Sequence, residues 1–208
     1  QWHGHPTNDR RYVSIDAGLV VSHDALHFTE PIPDFRIIQA RETPSWWLPS
    51  GKTVPLERAP ALMQGQGFAN VGNETLFWYS VWVIPTAGIR LARWERDRLG
   101  YLQPFVGPKD SPHVISAPVP TNGRPVAISL NVGGIGELSA INVSVLNERL
   151  EPLPGFGANQ SDNDLRAGLR QRVSWAGNDR VSSDGPIRVR VDFAGPRPED
   201  LRLYAVYV

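Results

Sequence analysis

The run from Met63 to Tyr101, MQGQGFANVGNETLFWYSVWVIPTAGIRLARWERDRLGY, admits few folds. It holds three strand-length segments, 68–71, 75–83 and 89–94, divided by Gly72-Asn73 and Pro85-Thr86-Ala87-Gly88, and a short segment closing on Tyr101. That order predicts an antiparallel four-stranded meander. One such meander cannot bury both of its faces, so neighbours of the same kind are expected, and with them an internal repeat.

A repeat is present upstream. Residues 13–31, VSIDAGLVVSHDALHFTEP, share a layout with 87–104, AGIRLARWERDRLGYLQP: a small residue and glycine, an apolar strand, a charged turn, and a short aromatic strand ending in proline. Both read as the outer half of a β-propeller blade.

Composition narrows the class. At 208 residues, 41% hydrophobic and 20% charged, the chain fits one or two globular domains. Lysine plus arginine equals aspartate plus glutamate at 21 each, and no basic patch is interleaved with aromatics, so nucleic acid is not an expected partner. No apolar run reaches the roughly 20 residues of a membrane span, so no membrane partner is expected either, and there is no signal-peptide pattern. Cysteine is absent, which removes disulfides, thiol nucleophiles and zinc-thiolate sites and leaves the compartment open. Nineteen glycines and nineteen prolines are spread through the chain, as the turns of an all-β protein require. The first residue is Gln1 rather than methionine, which is expected of a processed product, a subunit or a fragment.

Candidate site residues gather in three stretches. The polar segment QWHGHPTNDRR supplies Trp2, His3, His5, Asp9 and Arg10, an aromatic face with the hydrogen-bonding side chains that grip sugar hydroxyls. A plain surface loop fits the same residues, and His3 with His5 lacks the third ligand a metal needs. Segments 15–22 and 26–29 read as strands of a hairpin turning at His23-Asp24-Ala25, with His23 and His27 solvated or structural rather than catalytic. Residues 43–62 read as a long loop, a lid or binding segment, with Trp46 and Trp47 adjacent. Strand parity puts residues 2–9, 41–66 and 82–86 on one rim, which adds Trp82. In MQGQG, Gln64 and Gln66 are spaced to share one side of a strand, either as ligand contacts or as structural hydrogen bonds in a propeller channel. The acids near this rim are Glu42 and Asp9, catalytic candidates whose simpler role is to pair with Arg41 and Arg10 on the surface.

Beyond Pro104 the pattern changes. Residues 105–120 carry four prolines and read as a linker. Strands are expected at 126–132, 139–146, 171–175, 187–193 and 201–208, with turns at Asn122-Gly123, Pro154-Gly155 and Asp184-Gly185, which is how an antiparallel β-sandwich reads. Trp175 is expected in its core, and Arg188 and Arg190 in solvent. Asp162-Asn163-Asp164 offers alternate oxygen ligands for calcium, or else a polar loop. The acceptor patterns Asn73-Glu-Thr and Asn142-Val-Ser lie in or beside strands and are set aside.

The segments VVSHDALHFTEP, GQGFANVGNETLFWYSVW and GIRLARWERDRLGYLQP resemble the last blade and a half of five-bladed propeller glycoside hydrolases, the group that contains families 32 and 43. The whole chain is similar to bacterial glycosyl hydrolase-like proteins in which such blades precede a C-terminal β-sandwich. The resemblance implies an all-β fold: the last one to two blades of a propeller over 1–104, a linker over 105–120 and a sandwich over 121–208. It also implies hydrolysis of a glycan by paired carboxylates. The Asn-Asp-Pro-type nucleophile motif of the group is absent, so most of the acids are expected on a missing N-terminal part, carried by a second chain or fragment that completes the ring. No cofactor is implied beyond the calcium reading, and an extracytoplasmic bacterial setting is favoured. The alternative is a non-catalytic carbohydrate-binding or structural module, and a third reading is an all-β interaction module unrelated to sugars.

Overall fold

The structure, a computed structural model, describes residues 2–3, 12–42, 45–56, 59–82, 88–105, 111–162 and 165–208, with the backbone alone at 2–3, 45–47, 53, 64 and 66. Among the described residues the regular structure is antiparallel β-sheet with short 3₁₀ turns, and no helix is long and apolar enough to cross a membrane. Among the described residues none of the sheets closes on itself. The chain forms two compact units, Gln1–Glu95 and Arg96–Val208.

In the first unit, β1 (Trp2–His3) pairs with β2 (Ser14–Ile15), β3 (Ala17–Gly18) with β4 (Arg36–Ile38), and β5 (Ser45–Trp47) with β6 (Thr53–Pro55). The principal sheet is a meander of β7 (Leu62–Val71), β8 (Glu74–Val81) and β9 (Ile89–Glu95). Gly72, at φ 57°, takes the first central position of the β7–β8 turn, the conformation that glycine supplies at no steric cost. Leu62 and Val81 are buried, with Ala17, Ile38, Ala40, Leu56 and Tyr79 packed against them.

This sheet has three strands where four were expected. After β9 the chain turns at Asp97 (φ 57°), and Leu102 exchanges backbone hydrogen bonds with Leu203 at 2.8 and 3.0 Å, inside the second unit. The cause is Asn131, wholly buried. Its amide must find partners, and it takes the Arg96 carbonyl at 2.8 Å and Arg98 Nε at 2.9 Å.

The hairpin expected over 15–29 also differs. Ala17 pairs with Ile38, and only a single bridge joins Val21 to Thr29. Asp24 accounts for this, because its carboxylate accepts the N–H groups of Leu26 (2.9 Å) and His27 (2.8 Å) and the Ser22 hydroxyl (3.0 Å). These local bonds replace a ladder. The described residues of 43–62 are likewise not a structureless loop. The β5–β6 hairpin closes through Leu48 N–H to Lys52 O (2.8 Å), with Gly51 at φ 77°, and β7 already begins at Leu62.

The second unit contains β10 (His113–Ile115), β11 (Ser129–Gly133), β12 (Ala140–Leu146), β13 (Gly168–Arg172), β14 (Arg188–Ala194) and β15 (Arg202–Tyr207). They form two three-stranded sheets, β10-β14-β12 and β13-β11-β15. Both sheets contribute to one core. Ile141, Val143 and Val145 alternate inward on β12, Val189, Val191 and Phe193 do so on β14, and Leu130, Val132 and Leu203 join them from the other sheet. Trp175 is 1% exposed in this core; its indole N–H donates to the Val143 carbonyl at 2.9 Å, and Phe156 meets it edge-on at 5.3 Å.

Two turns follow directly from their residues. Asn122 (φ 53°) and Gly123 (φ 68°) form a type I′ turn closed by Arg124 N–H to Thr121 O, and Pro154-Gly155 forms a type II turn closed by Phe156 N–H to Leu153 O. The proline-rich 105–120 stretch carries β10, which lies at the edge of its sheet, where residues without an N–H can flank a strand. Arg188 and Arg190, expected in solvent, are part-buried. Arg188 donates to the Ser116 carbonyl at 3.0 Å and Arg190 holds Asp192.

Candidate functional site

Several of the sequence candidates meet at the end of the meander where β7 starts, β8 stops and β9 starts. There Gln64 lies opposite Tyr79, and Tyr79 opposite Arg90, as one cross-strand row. The last residue before this row on the rim side of β8 is Val81, buried against Leu62, and Trp82 follows it, exposed, its N–H bonded to the Ala61 carbonyl at 2.7 Å. Ala61 bridges Ile15, which pairs with Trp2, so the backbone of β1 reaches the same edge.

Glu42 enters this corner from a segment anchored by a buried acid. Asp16 accepts the Ala40 N–H at 2.7 Å and ion-pairs with Arg36 at 3.1 Å, which fixes the chain two residues before Glu42. From there the Glu42 carboxylate meets Arg90 in a fork: Nε to Oε1 at 2.9 Å, Nε to Oε2 at 3.2 Å and Nη2 to Oε2 at 2.7 Å. The partner is therefore Arg90 and not the neighbouring Arg41, which turns to the Gln39 carbonyl oxygen Oε1 instead. Hydrogen bonding to Arg90 holds the Glu42 carboxyl below the usual carboxylate range, and the same bond raises Arg90. An acid held this way is ionised at neutral pH. It can accept hydrogen bonds or stabilise positive charge, and it has no proton to give as a general acid.

An aromatic row leads away from this corner on the same face of the sheet. Tyr79 stacks on Phe77 at 6.2 Å, and Phe77 meets Trp94 at 6.5 Å. The sequence reading did not name Tyr79, Phe77, Trp94 or Arg90. The signal for them is register: once 75, 77, 79 and 81 are assigned to one face of β8, their partners on β9 follow.

The MQGQG motif forms a bulge in β7. Register runs from Gln64–Tyr79 directly to Phe68–Phe77, so Gly65, Gln66 and Gly67 together face Trp78. A Cβ on Gly65 would lie 2.6 Å from the Trp78 carbonyl oxygen, and one on Gly67 would lie 2.6 Å from indole Cε3. The glycines thus admit the neighbouring strand and its indole.

Trp2, His3, Trp46, Trp47, Gln64 and Gln66 are placed by their backbones only, and His5, Asp9 and Arg10 lie outside the described residues. Asp162 is engaged by the Ser174 hydroxyl (2.5 Å) and the Gly177 N–H (3.2 Å), first the hydroxyl and then the amide holding it below the usual range; Asn163 and Asp164 lie outside the described residues. Among the described residues no three His, Asp or Glu side chains are grouped to hold a metal ion. Asp24 is held far below the usual carboxylate range, first by the backbone N–H of His27, and organises a turn. Comparison with protein-family models, curated proteins and solved structures finds no match to this chain.

Proposed function

We propose that this chain is the C-terminal portion of a glycoside hydrolase, its first unit supplying the last blades of a five-bladed propeller and its second an accessory β-sandwich. Carbohydrate binds at the rim carrying Trp82, Tyr79 and the Glu42–Arg90 fork, while most catalytic acids belong to the polypeptide that completes the ring. One observation carries this reading, the outward face of the β7-β8-β9 sheet. Met63, Leu76, Trp78, Leu91 and Ile89 share that face, and Ile89 is 78% exposed. An exposed apolar face of this kind marks an interface. A strand apolar on both faces, as β8 is, reads as one packed between two layers.

The test is native mass measurement together with binding of a hydrophobic dye, followed by hydrolysis assays on the assembled species. The expected result is association through the first unit, with dye binding that disappears in the complex and turnover that appears with it. A stable monomer that binds no dye and is inert toward glycans sinks the proposal.

The Glu42–Arg90 fork favours the second reading, a carbohydrate-binding module without turnover, because it engages both carboxylate oxygens. Glu42→Gln in the assembled protein separates the two. A catalytic carboxylate, acting as nucleophile or base, loses about 10² or more in kcat, whereas a binding residue shifts affinity a few-fold and leaves kcat unmoved.

A further inference from the structure

A cleft of about 850 Å³ lies on the second unit, on the face of the β10-β14-β12 sheet opposite the core. Its floor is built from the residues that alternate with the buried valines. Asp192 stands across from Asn142, and Arg190 across from Ser144. These polar groups are sunken rather than raised on a convex surface: the Asp192 side chain is 14% exposed and Ser144 is 3% exposed. Phe105, 92% exposed, and Leu150 line the same cleft.

Charge on the floor cancels locally. Arg190 binds Asp192 through Nε (3.0 and 3.1 Å) and Nη2 (2.7 Å). Glu199, also lining the cleft, faces Arg197 at 3.9 Å. Arg190 Nη1 and the Asn142 carboxamide make no side-chain hydrogen bond to the described residues, so a fixed donor and a donor-acceptor pair remain for a ligand. An anion would meet Asp192 and Glu199, and a cation would meet Arg190. A neutral polyol meets neither penalty, since adjacent hydroxyls both donate and accept, and the C–H face of a sugar ring can rest on an exposed phenyl.

We propose that this cleft binds a short neutral oligosaccharide, gripped by Asn142, Arg190 and Asp192 and stacked on Phe105. The proposal rests on this cleft alone and not on the reading of the first unit.

The test is calorimetric titration of the whole chain with cellotriose, xylotriose, arabinotriose and kestotriose. One of these is expected to bind at a single site per chain. Asn142→Ala should weaken it about tenfold, and Phe105→Ala about threefold to tenfold, with the melting temperature unchanged in both. Among the described residues Asn142 bonds to no side chain and Phe105 is exposed, so neither variant threatens the fold. The proposal is overturned if none of the four sugars binds, or if binding survives both substitutions. It is overturned too if binding is lost only with Trp82→Ala, which assigns the ligand to the first unit. Native mass, which tests the first unit's reading, shares no readout with this titration.

Discussion

The two units spend similar lengths of chain on very different interiors. In the second, sixteen buried apolar residues form one cluster fed by both sheets; in the first, among the described residues, two buried residues form the comparable cluster. The difference begins in strand pattern. β14 alternates strictly between buried and part-buried positions, RVRVDFA, which defines one inside and one outside. β8 reads ETLFWYSV and has apolar or aromatic residues on both faces, so no single neighbour can bury it. Full burial of an aliphatic side chain stabilises by about 1.5–3 kcal/mol, and the ordered backbone opposes it throughout. Among the described residues the polar ties of the first unit include Asp16 with Ala40 and Arg36, and Glu42 with Arg90.

The comparison breaks most visibly at the aromatics. Trp175→Ala removes the largest fully buried side chain and strands the Val143 carbonyl, and should cost about 4 kcal/mol. Phe77→Ala in the half-buried aromatic row of the first unit should cost about half as much. Urea denaturation followed by near-ultraviolet circular dichroism measures both, and equal losses would mean that the first unit is as tightly packed as the second. Glycine substitutions sharpen the same contrast. Gly134 sits at φ 79° with a virtual Cβ 1.9 Å from the Asp200 carbonyl oxygen, so Gly134→Ala should cost about 3 kcal/mol in left-handed strain and overpacking. At Gly67 the nearest atom belongs to the Trp78 ring, which can shift, and Gly67→Ala should cost about 1 kcal/mol.

How far each unit could be read from its residues follows from the same physics. β12, β14 and β15 lie close to their expected limits because alternation and turn residues agree there, and Asn122-Gly123 and Pro154-Gly155 form the turns their chemistry demands. In the first unit the same signals misled. The pull of Asn131 on 96–98 acts across more than thirty residues and leaves no local mark, so the fourth strand of the meander looked complete. The hydrogen bonds of Asp24 compete with a ladder that hydrophobic alternation alone would favour. At the candidate site, Trp82 and Glu42 could be named from residue type, yet Arg90 required the β8–β9 register and lies 48 residues from its partner. The unit-two cleft was hidden for another reason. Its floor residues are the ordinary polar half of two alternating strands, and concavity is a property of the fold.

A smaller effect is expected at the carboxyl-terminal strand. The Tyr207 hydroxyl donates to Asp97 Oδ2 at 2.6 Å, and burial, then this bond, push its pKa above 10.0. The folded value is raised, so the contribution is complete below the ordinary phenol value and is lost as pH rises through the folded one. Tyr207→Phe should cost about 1 kcal/mol at neutral pH and remove that alkaline loss. Denaturation midpoints across the alkaline range give the answer, and identical slopes in both proteins would show the bond to be idle.

The smallest effect separates stability from function in the first unit. Glu42 and Arg90 are both more than a third exposed, so solvent screens the pair, and Glu42→Gln should cost about 0.5 kcal/mol. The folded pKa of Glu42 is lowered from 4.5, so the pair contributes fully above that value and loses its contribution as pH falls through the folded one. The gap between wild type and Glu42→Gln should therefore be open at neutral pH, close in acid, and narrow in high salt. A gap that persists in acid would assign the loss to packing instead of charge. The measurement also bears on the rim proposed above to bind carbohydrate. Arg90 stands opposite Tyr79, so freeing its guanidinium alters the one fixed cation in the cross-strand row that includes Gln64. If Glu42→Gln leaves stability within error but weakens glycan binding or turnover, the fork positions Arg90 for a ligand, and the polar ties of the thin unit serve recognition rather than cohesion.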